Sequence, residues 1–403
     1  MMKTFSFRSS VHWAIAAATV IAWACGDGAG APSAAVDEDA ARPVLRSLAN
    51  NVLAPTYAEF QTAADALEVA ASAHADAVAS GGDTAASDAA LREAYAAAWV
   101  AWQRAEVMQL GPAAGTEGVG GAFGRDEVYS WPSVNPCQVD QELVALSYSD
   151  SDFFEVRLVN AYGFDALEYL VFAEGTDNAC APQLQINADG EWDALGEETI
   201  GERRAAYAAA VAGGIAEQAA TFAQAWAPGG VWNGALADPP SGAYETVQVA
   251  VDEVLRAMFY VDRVLKDAKL ARPAGILGCT ADICLDGIEA PLSRRSGEAA
   301  LANLEGFSRL YHGGSDPAAH DGFDDILRDA GEGVLADEIT ADIDAAIVAL
   351  SAIDEPFADA LSADPAALDA AHAAVVELTD DLKGDFPAVL ALNIPSEAAG
   401  DAD

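Results

Sequence analysis

Two carboxylates three positions apart, Asp165 and Glu168, stand in the otherwise apolar stretch NAYGFDALEYLVF at residues 160–172. At that spacing two side chains share one face of a helix, and the apolar periodicity predicts a helix over 151–173. A carboxylate pair on such a face binds a cation, exchanges protons or simply faces water. Asp165 and Glu168 are therefore candidate metal ligands, and the elements that position them decide among these roles.

The rest of the chain predicts an all-α protein made of two successive helical bundles, each with about four main helices. Alanine-rich helical periodicity recurs along the 403 residues, and no strand-like alternation persists. We expect bundle 1 at 41–228, a linker rich in Gly and Pro at 229–241, and bundle 2 at 242–393. The segment GFDALEYL at 163 returns loosely as GFDDILRD at 322, which fits either a duplicated bundle or chance.

The two ends of the chain predict export and a flexible tail. Residues 1–24 have the positive and apolar regions of a signal peptide, and the apolar stretch is short for a permanent membrane span. Ala24–Cys25 and the small, polar tether at 25–40 resemble the lipobox of bacterial lipoproteins, so Cys25 is the expected lipidation site; ordinary cleavage nearby is the alternative. We expect a lipoprotein of the bacterial cell envelope, facing the periplasm or the cell surface, that contacts the membrane only through this lipid. Residues 394–403 are expected to be disordered.

The cysteine count agrees with export. Besides Cys25, the chain has four cysteines, and an even number in an exported protein suggests two disulfides. Of the three possible pairings we expect Cys137–Cys180 and Cys279–Cys284, the second of which closes the short segment CTADIC. A zinc site of all four cysteines is the alternative, although the spacing lacks paired C-x-x-C motifs.

The charge excludes several classes of partner. With 20 Lys and Arg against 64 Asp and Glu, the formal net charge is −44. Such a protein repels the phosphates of nucleic acids, and it offers no basic patch for anionic lipids. An acidic, solubilising surface explains the charge, which by itself does not create a specific metal site.

Common catalytic motifs are missing from the sequence. It contains no H-E-x-x-H zinc motif, no G-x-S-x-G elbow around a nucleophilic serine and no phosphate-binding G-x-x-x-x-G-K-S/T loop. We therefore assign no catalytic residue.

The chain resembles the imelysin-like family in several stretches that occur in family order across residues 45–393. They are NVLAPTYAEF, AWVAWQRAEVMQLGP, DEVYSWP, GFDALEYLVF and EAPLSRRSGEAALANLEGFSRLY. The resemblance implies an all-helical fold of two bundles in an exported or lipid-anchored bacterial protein associated with iron uptake. It also implies a G-x-H-x-x-E motif that binds metal, and a place in a family catalogued among metallopeptidases.

The chain departs from that motif at its histidine. Gly163 and Glu168 match, but Asp165 stands where the family has imidazole. Two carboxylates form a harder, all-oxygen ligand set, which favours Fe³⁺ or Ca²⁺ over Zn²⁺. The sequence is compatible with a retained cation site and equally with a purely structural pair of acids.

Other residues are expected near the same site. Glu106 is the third candidate metal ligand, one helical turn after Trp102. The remaining cleft candidates lie in the stretches that carry the resemblance: Trp102, Asp126, Glu127, Gly163, Glu289, Ser293 and Ser296.

Together these features predict an exported imelysin-like lipoprotein that binds a metal ion, iron or another divalent or trivalent cation, or else a small ligand, in iron acquisition. An envelope iron-transport protein is the expected partner. A metal-dependent peptidase and a metal-free protein-interaction module in the envelope are the alternatives.

Overall fold

The computed structural model describes residues 35–395, which fold into helices. Those of the first half are α1 Glu38–Ser47, α2 Ala54–Ala79, α3 Ala85–Glu106, α4 Gly124–Val128, α5 Pro136–Ala145, α6 Phe153–Val156, α7 Gly163–Phe172, α8 Gln185–Ala188, α9 Gly196–Trp226 and α10 Val231–Ala237. Those of the second half are α11 Val247–Met258, α12 Ser296–His312, α13 Phe323–Asp329, α14 Gly333–Ser351, α15 Phe357–Ala363, α16 Asp369–Lys383 and α17 Asp385–Val389. Two segments are π-helical: Leu48–Leu53 joins α1 to α2, and Val261–Ala271 follows α11.

The prediction of an all-α fold is confirmed. Within residues 35–395 there is no strand, and an isolated bridge joins Ser241 to Tyr244. In that same range no helix combines the length and the apolar character needed to cross a membrane. The predicted signal peptide at 1–24, the lipidation site Cys25, most of the tether and residues 396–403 of the tail lie outside the described residues.

Buried apolar side chains form one connected core that extends along the described chain, from Val36 to Leu392. In the first half α2 packs against both α3 and α9, and α7 packs against α9; α12 of the second half packs against α3. The core therefore continues from one half into the other. The division into two bundles with a linker at 229–241, and their duplication, remain predictions.

Both predicted disulfides are confirmed. Cys137 is bonded to Cys180 with Cα atoms 4.5 Å apart, and Cys279 to Cys284 with Cα atoms 6.1 Å apart. The first ties the start of α5 to the loop that follows α7. The alternative of a zinc site made of these four cysteines was wrong, because each sulfur is used in a disulfide.

Helix α7 begins later than the sequence predicts. Instead of one helix over 151–173, the chain forms the short α6 and then turns before Gly163. Gly163 has φ +83°, and a Cβ atom at this position would lie 2.7 Å from the carbonyl oxygen of Val128. The turn and this close approach both require glycine, and together they set where α7 starts and hence where Asp165 and Glu168 lie.

We predict that Gly163→Ala lowers the free energy of unfolding by about 2 kcal/mol or more, since it adds a steric clash to the cost of a positive φ. Gly175→Ala is the matched control, because Gly175 has φ +72° with no atom near the added Cβ. The control should lose only about 1 kcal/mol. Denaturant unfolding of both variants measures the difference, and equal losses would show that the Val128 contact is unimportant.

Candidate functional site

Asp165 and Glu168 line a cleft of about 340 Å³, here called the carboxylate cleft. Both side chains are largely buried, with 7% of each residue exposed. The other lining residues come from the loop before α5 and its first residue, from α7, from the end of the π-helical segment Val261–Ala271 and from the segment after the second disulfide: Trp131, Pro132, Val134, Pro136, Tyr169, Arg272, Asp286, Gly287, Ile288, Ala290, Pro291 and Leu292. The predicted carboxylate pair thus faces a cavity large enough for an ion or a small molecule.

Asp165 is held by one serine. The backbone N–H of Ser130 donates to its Oδ2 at 3.1 Å, and the Ser130 hydroxyl donates to the same oxygen at 3.3 Å. Burial raises the pKa of Asp165 to about 8; Arg125 opposes this shift, and the negative charge of Glu168 adds to it. Without a bound cation, Asp165 is therefore protonated at neutral pH.

Glu168 is held in the same way by a residue from the other half of the chain. The backbone N–H and the hydroxyl of Ser293 donate to its Oε1 at 2.7 and 2.6 Å. Burial raises the pKa of Glu168, and the hydrogen bonds from Ser293 limit that rise. The stretch GFDALEYLVF and the stretch EAPLSRRS therefore meet at this contact.

Glu106, the third predicted ligand, lies in an ion-pair network. Arg125 contacts its Oε1 through Nε at 2.9 Å and Nη2 at 2.8 Å, and the Tyr260 hydroxyl donates to its Oε2 at 2.9 Å. Lys269 Nζ lies 3.5 Å from the same Oε2. Burial would raise the pKa of Glu106, but Lys269 and Arg125 bring it below its ordinary value. Its charge is already neutralised by protein cations.

Glu289 shares the cation of this network. Lys269 Nζ lies 2.8 Å from Glu289 Oε1, the Tyr129 hydroxyl donates to that oxygen at 2.6 Å, and Gln103 Nε2 donates at 3.1 Å. Its Oε2 is buried and accepts no hydrogen bond from residues 35–395. Burial raises the pKa of Glu289, although Lys269 opposes the rise. Glu289 is thus a buried acid with one oxygen unpaired, electrostatically coupled to Asp165 and Glu168.

Trp102 and Ser296 are held by contacts outside the carboxylate cleft. Trp102 belongs to the aromatic core, with its ring centroid 5.0 Å from that of Phe60. The hydroxyl of Ser296 donates to the backbone carbonyl of Glu289. Both residues shape the surroundings of the site, and neither lines the carboxylate cleft.

Asp126 and Glu127, from α4, have protein partners of their own. Asp126 Oδ1 lies 2.9 Å from Arg125 Nη1, and Glu127 Oε2 accepts a hydrogen bond from the Tyr162 hydroxyl at 2.7 Å. Asp126 therefore belongs to the same ion-pair network as Glu106, whereas Glu127 ties α4 to the turn before α7.

Several residues that organise the site did not emerge from the sequence: Gln103, Arg125, Tyr129, Ser130, Lys269 and Asn303. One available signal was the scarcity of cations, because the chain has 20 Lys and Arg among 403 residues. A lysine within a helical stretch of so acidic a protein, such as Lys269, indicates buried acid partners.

The three predicted metal ligands do not gather into one set. Among residues 35–395, no group of three or more His, Cys, Asp and Glu side chains is arranged to hold a metal ion. Asp165 and Glu168 share a cleft, while Glu106 is paired with Arg125 and Lys269. Metal binding therefore remains a prediction and rests on the first two residues.

Comparisons with known proteins agree on one family. The family model described as imelysin, peptidase M75, matches residues 53–383. A solved structure described as an iron-regulated protein A precursor from Parabacteroides distasonis ATCC 8503 is similar with a TM-score of 0.68 and 18% identity, over 89% of this chain and 96% of that chain. An imelysin-like protein from Psychrobacter arcticum 273-4 gives a TM-score of 0.66 and 17% identity, over 90% of this chain and 99% of that chain. No curated protein sequence matches this one. Since the family model covers most of the chain, this protein belongs to the imelysin family.

Proposed function

We propose that this protein binds a hard metal cation in the carboxylate cleft and serves iron acquisition in the bacterial envelope. The observation that carries the proposal is the pair Asp165 and Glu168, two buried carboxylates that line one cavity; burial raises the pKa of both, and the negative charge of Glu168 adds to the rise at Asp165. A cation placed between them would relieve both the burial of negative charge and the mutual repulsion.

The donor atoms fit an oxygen-ligated cation. The serine hydrogen bonds to Asp165 end at Oδ2 and those to Glu168 end at Oε1, so they orient each carboxylate through one oxygen. The described residues that line the cleft include neither histidine nor cysteine. Hard ions such as Fe³⁺ and Ca²⁺ accept all-oxygen ligands, whereas Zn²⁺ favours nitrogen and sulfur. Asp165 and Glu168 would hold the ion, with solvent or a small ligand completing its coordination.

The iron-related part of the proposal is supported by the family and by a similar protein described as an iron-regulated protein A precursor. The signal-like residues 1–24 support export, and Cys25 is the proposed lipid attachment site. The partner we propose is an envelope iron-transport protein that delivers or receives the ion. No feature of the carboxylate cleft favours the peptidase alternative over binding.

Isothermal titration of the mature protein tests cation binding. We expect Fe³⁺, supplied as a soluble chelate, or Ca²⁺ to bind more tightly than Zn²⁺, with a dissociation constant well below millimolar. Asp165→Asn and Glu168→Gln should each weaken binding by about tenfold or more, because each removes a charged ligand while keeping its shape.

The matched control for this titration is Asp344→Asn, which removes an exposed acid. It should leave the affinity unchanged and so separate the cleft from diffuse attraction to an acidic surface. The proposal fails if no cation binds below about millimolar concentration, or if Asp344→Asn weakens binding as much as Asp165→Asn does.

The stability of the cation-free protein should depend on pH through Asp165. The folded carboxyl keeps its proton up to a pKa of about 8, whereas the unfolded one releases it near 3.8. Between these values the folded state binds more protons, so the free energy of unfolding falls as pH rises. Asp165→Asn should remove a slope of about 1.4 kcal/mol per pH unit from that interval.

Urea unfolding at several pH values, with a chelator present, measures this slope. Asp344→Asn again serves as the control and should keep the wild-type pH dependence. If Asp165→Asn also keeps it, Asp165 ionises normally in the folded protein, and a cation would not need to replace a proton there.

A further inference from the structure

A second cleft, of about 340 Å³, lies on the other side of Trp131 and Pro132, which line both cavities. Three arginines line it, Arg125, Arg256 and Arg263, and we call it the arginine cleft. We propose that the arginine cleft binds a small organic monocarboxylate with an apolar or aromatic body. This site is separate from the carboxylate cleft and does not depend on cation binding there.

The charge of the arginine cleft is unusual for this protein. Three of only 20 basic side chains meet at one cavity in a chain of net charge −44. Arg125 is engaged by Glu106 and Asp126, and Arg256 Nε lies 3.3 Å from Glu253 Oε1. These two guanidinium groups are therefore already paired with acids.

Arg263 differs from the other two arginines. Within the described part of the chain it forms no ion pair, and its Nε is buried without a hydrogen-bond acceptor. A guanidinium that lacks an acidic partner at a partly buried wall is costly, and a carboxylate in the cleft would pair with its charge. The planar fork of a guanidinium matches the two oxygens of a carboxylate.

The backbone that carries Arg263 is also unusual. Arg263, Val264 and Ala268 all line the arginine cleft and all belong to the π-helical segment Val261–Ala271. Helices with this wider turn are rare and occur frequently at functional sites. The wall that carries Arg263 therefore has a backbone geometry that is frequent at functional sites.

The other side chains that line the arginine cleft indicate which class of anion it binds. Apolar and aromatic side chains line much of the cavity, among them Phe123, Trp131, Tyr260 and Val264. Two acids, Glu117 and Asp126, line it as well. These acids and the net charge disfavour a polyanion, whereas one carboxylate on an apolar body matches both the guanidinium and the walls.

Titration of the full mature protein with benzoate and 3-phenylpropionate at low salt tests the proposal. We expect saturable binding of at least one of them at about millimolar concentration or below, with inorganic phosphate and acetate at least about tenfold weaker. Arg263→Gln should weaken carboxylate binding by about ten- to a hundredfold, because it removes a charge-assisted hydrogen bond.

Two further variants make the result specific. Arg46→Gln, which removes an exposed arginine from α1, should leave the affinity unchanged. Arg263→Lys should bind with intermediate affinity, because it keeps the charge and loses the fork. Thermal unfolding of each variant confirms that it is folded.

The proposal is overturned if neither carboxylate gives saturable binding, if phosphate binds more tightly than both, or if Arg46→Gln and Arg263→Gln weaken binding equally. Asp165→Asn separates the two clefts: it should weaken cation binding and leave carboxylate binding unchanged. Carboxylate binding that disappears with Asp165→Asn would also contradict a separate site.

Discussion

The ammonium group of Lys269 is the interaction on which the rest of the site depends. Its Nζ lies 2.8 Å from Glu289, and it donates to Gln103 Oε1 at 2.7 Å and Asn303 Oδ1 at 2.9 Å. These partners come from α3, from the segment before α12 and from α12 itself. A buried cation is tolerated only where acids and hydrogen-bond acceptors surround it, so these segments must converge wherever Lys269 lies.

This network separates acids that are neutralised from acids that are not. Glu106 forms ion pairs with two cations and has a lowered pKa, whereas the influence of Arg125 on Asp165 is outweighed by burial, and the pKa of Asp165 is raised to about 8. The scarcity of basic residues makes the distinction sharp, because few cations are available to pair buried acids. The Trp131–Pro132 segment lies at the boundary: it lines both clefts, and the ring centroid of Trp131 is 6.0 Å from Lys269 Nζ.

The sequence predicted the features that depend on local pattern. Helical periodicity gave the all-α fold, and the even cysteine count with the short CTADIC loop led to the observed disulfides. The spacing of Asp165 and Glu168 placed them on one helix face, and the family resemblance linked that face to Ser293. Each of these inferences needs only neighbouring residues or an ordered set of motifs.

The features that were missed depend on contacts between distant parts of the chain. The residues around Glu106 in the sequence do not indicate that it pairs with Arg125 and Lys269. In its own helix Glu106 has the pattern of an ordinary acid one turn after Trp102. Helix α7 was expected to begin too early because nothing in residues 151–162 reveals that Val128 lies against Gly163. Such contacts require the tertiary fold before they can be recognised.

Gly163 finally bears on how the family motif is interpreted. Its place in G-x-D-x-x-E follows from the crowded backbone at Val128 and would be required with or without a bound ion. The glycine therefore marks a backbone shape and by itself says nothing about the chemistry of the cleft beside it. Asp165, two positions later, carries the chemical information, because the type of side chain at that place decides which cations the cleft can accept.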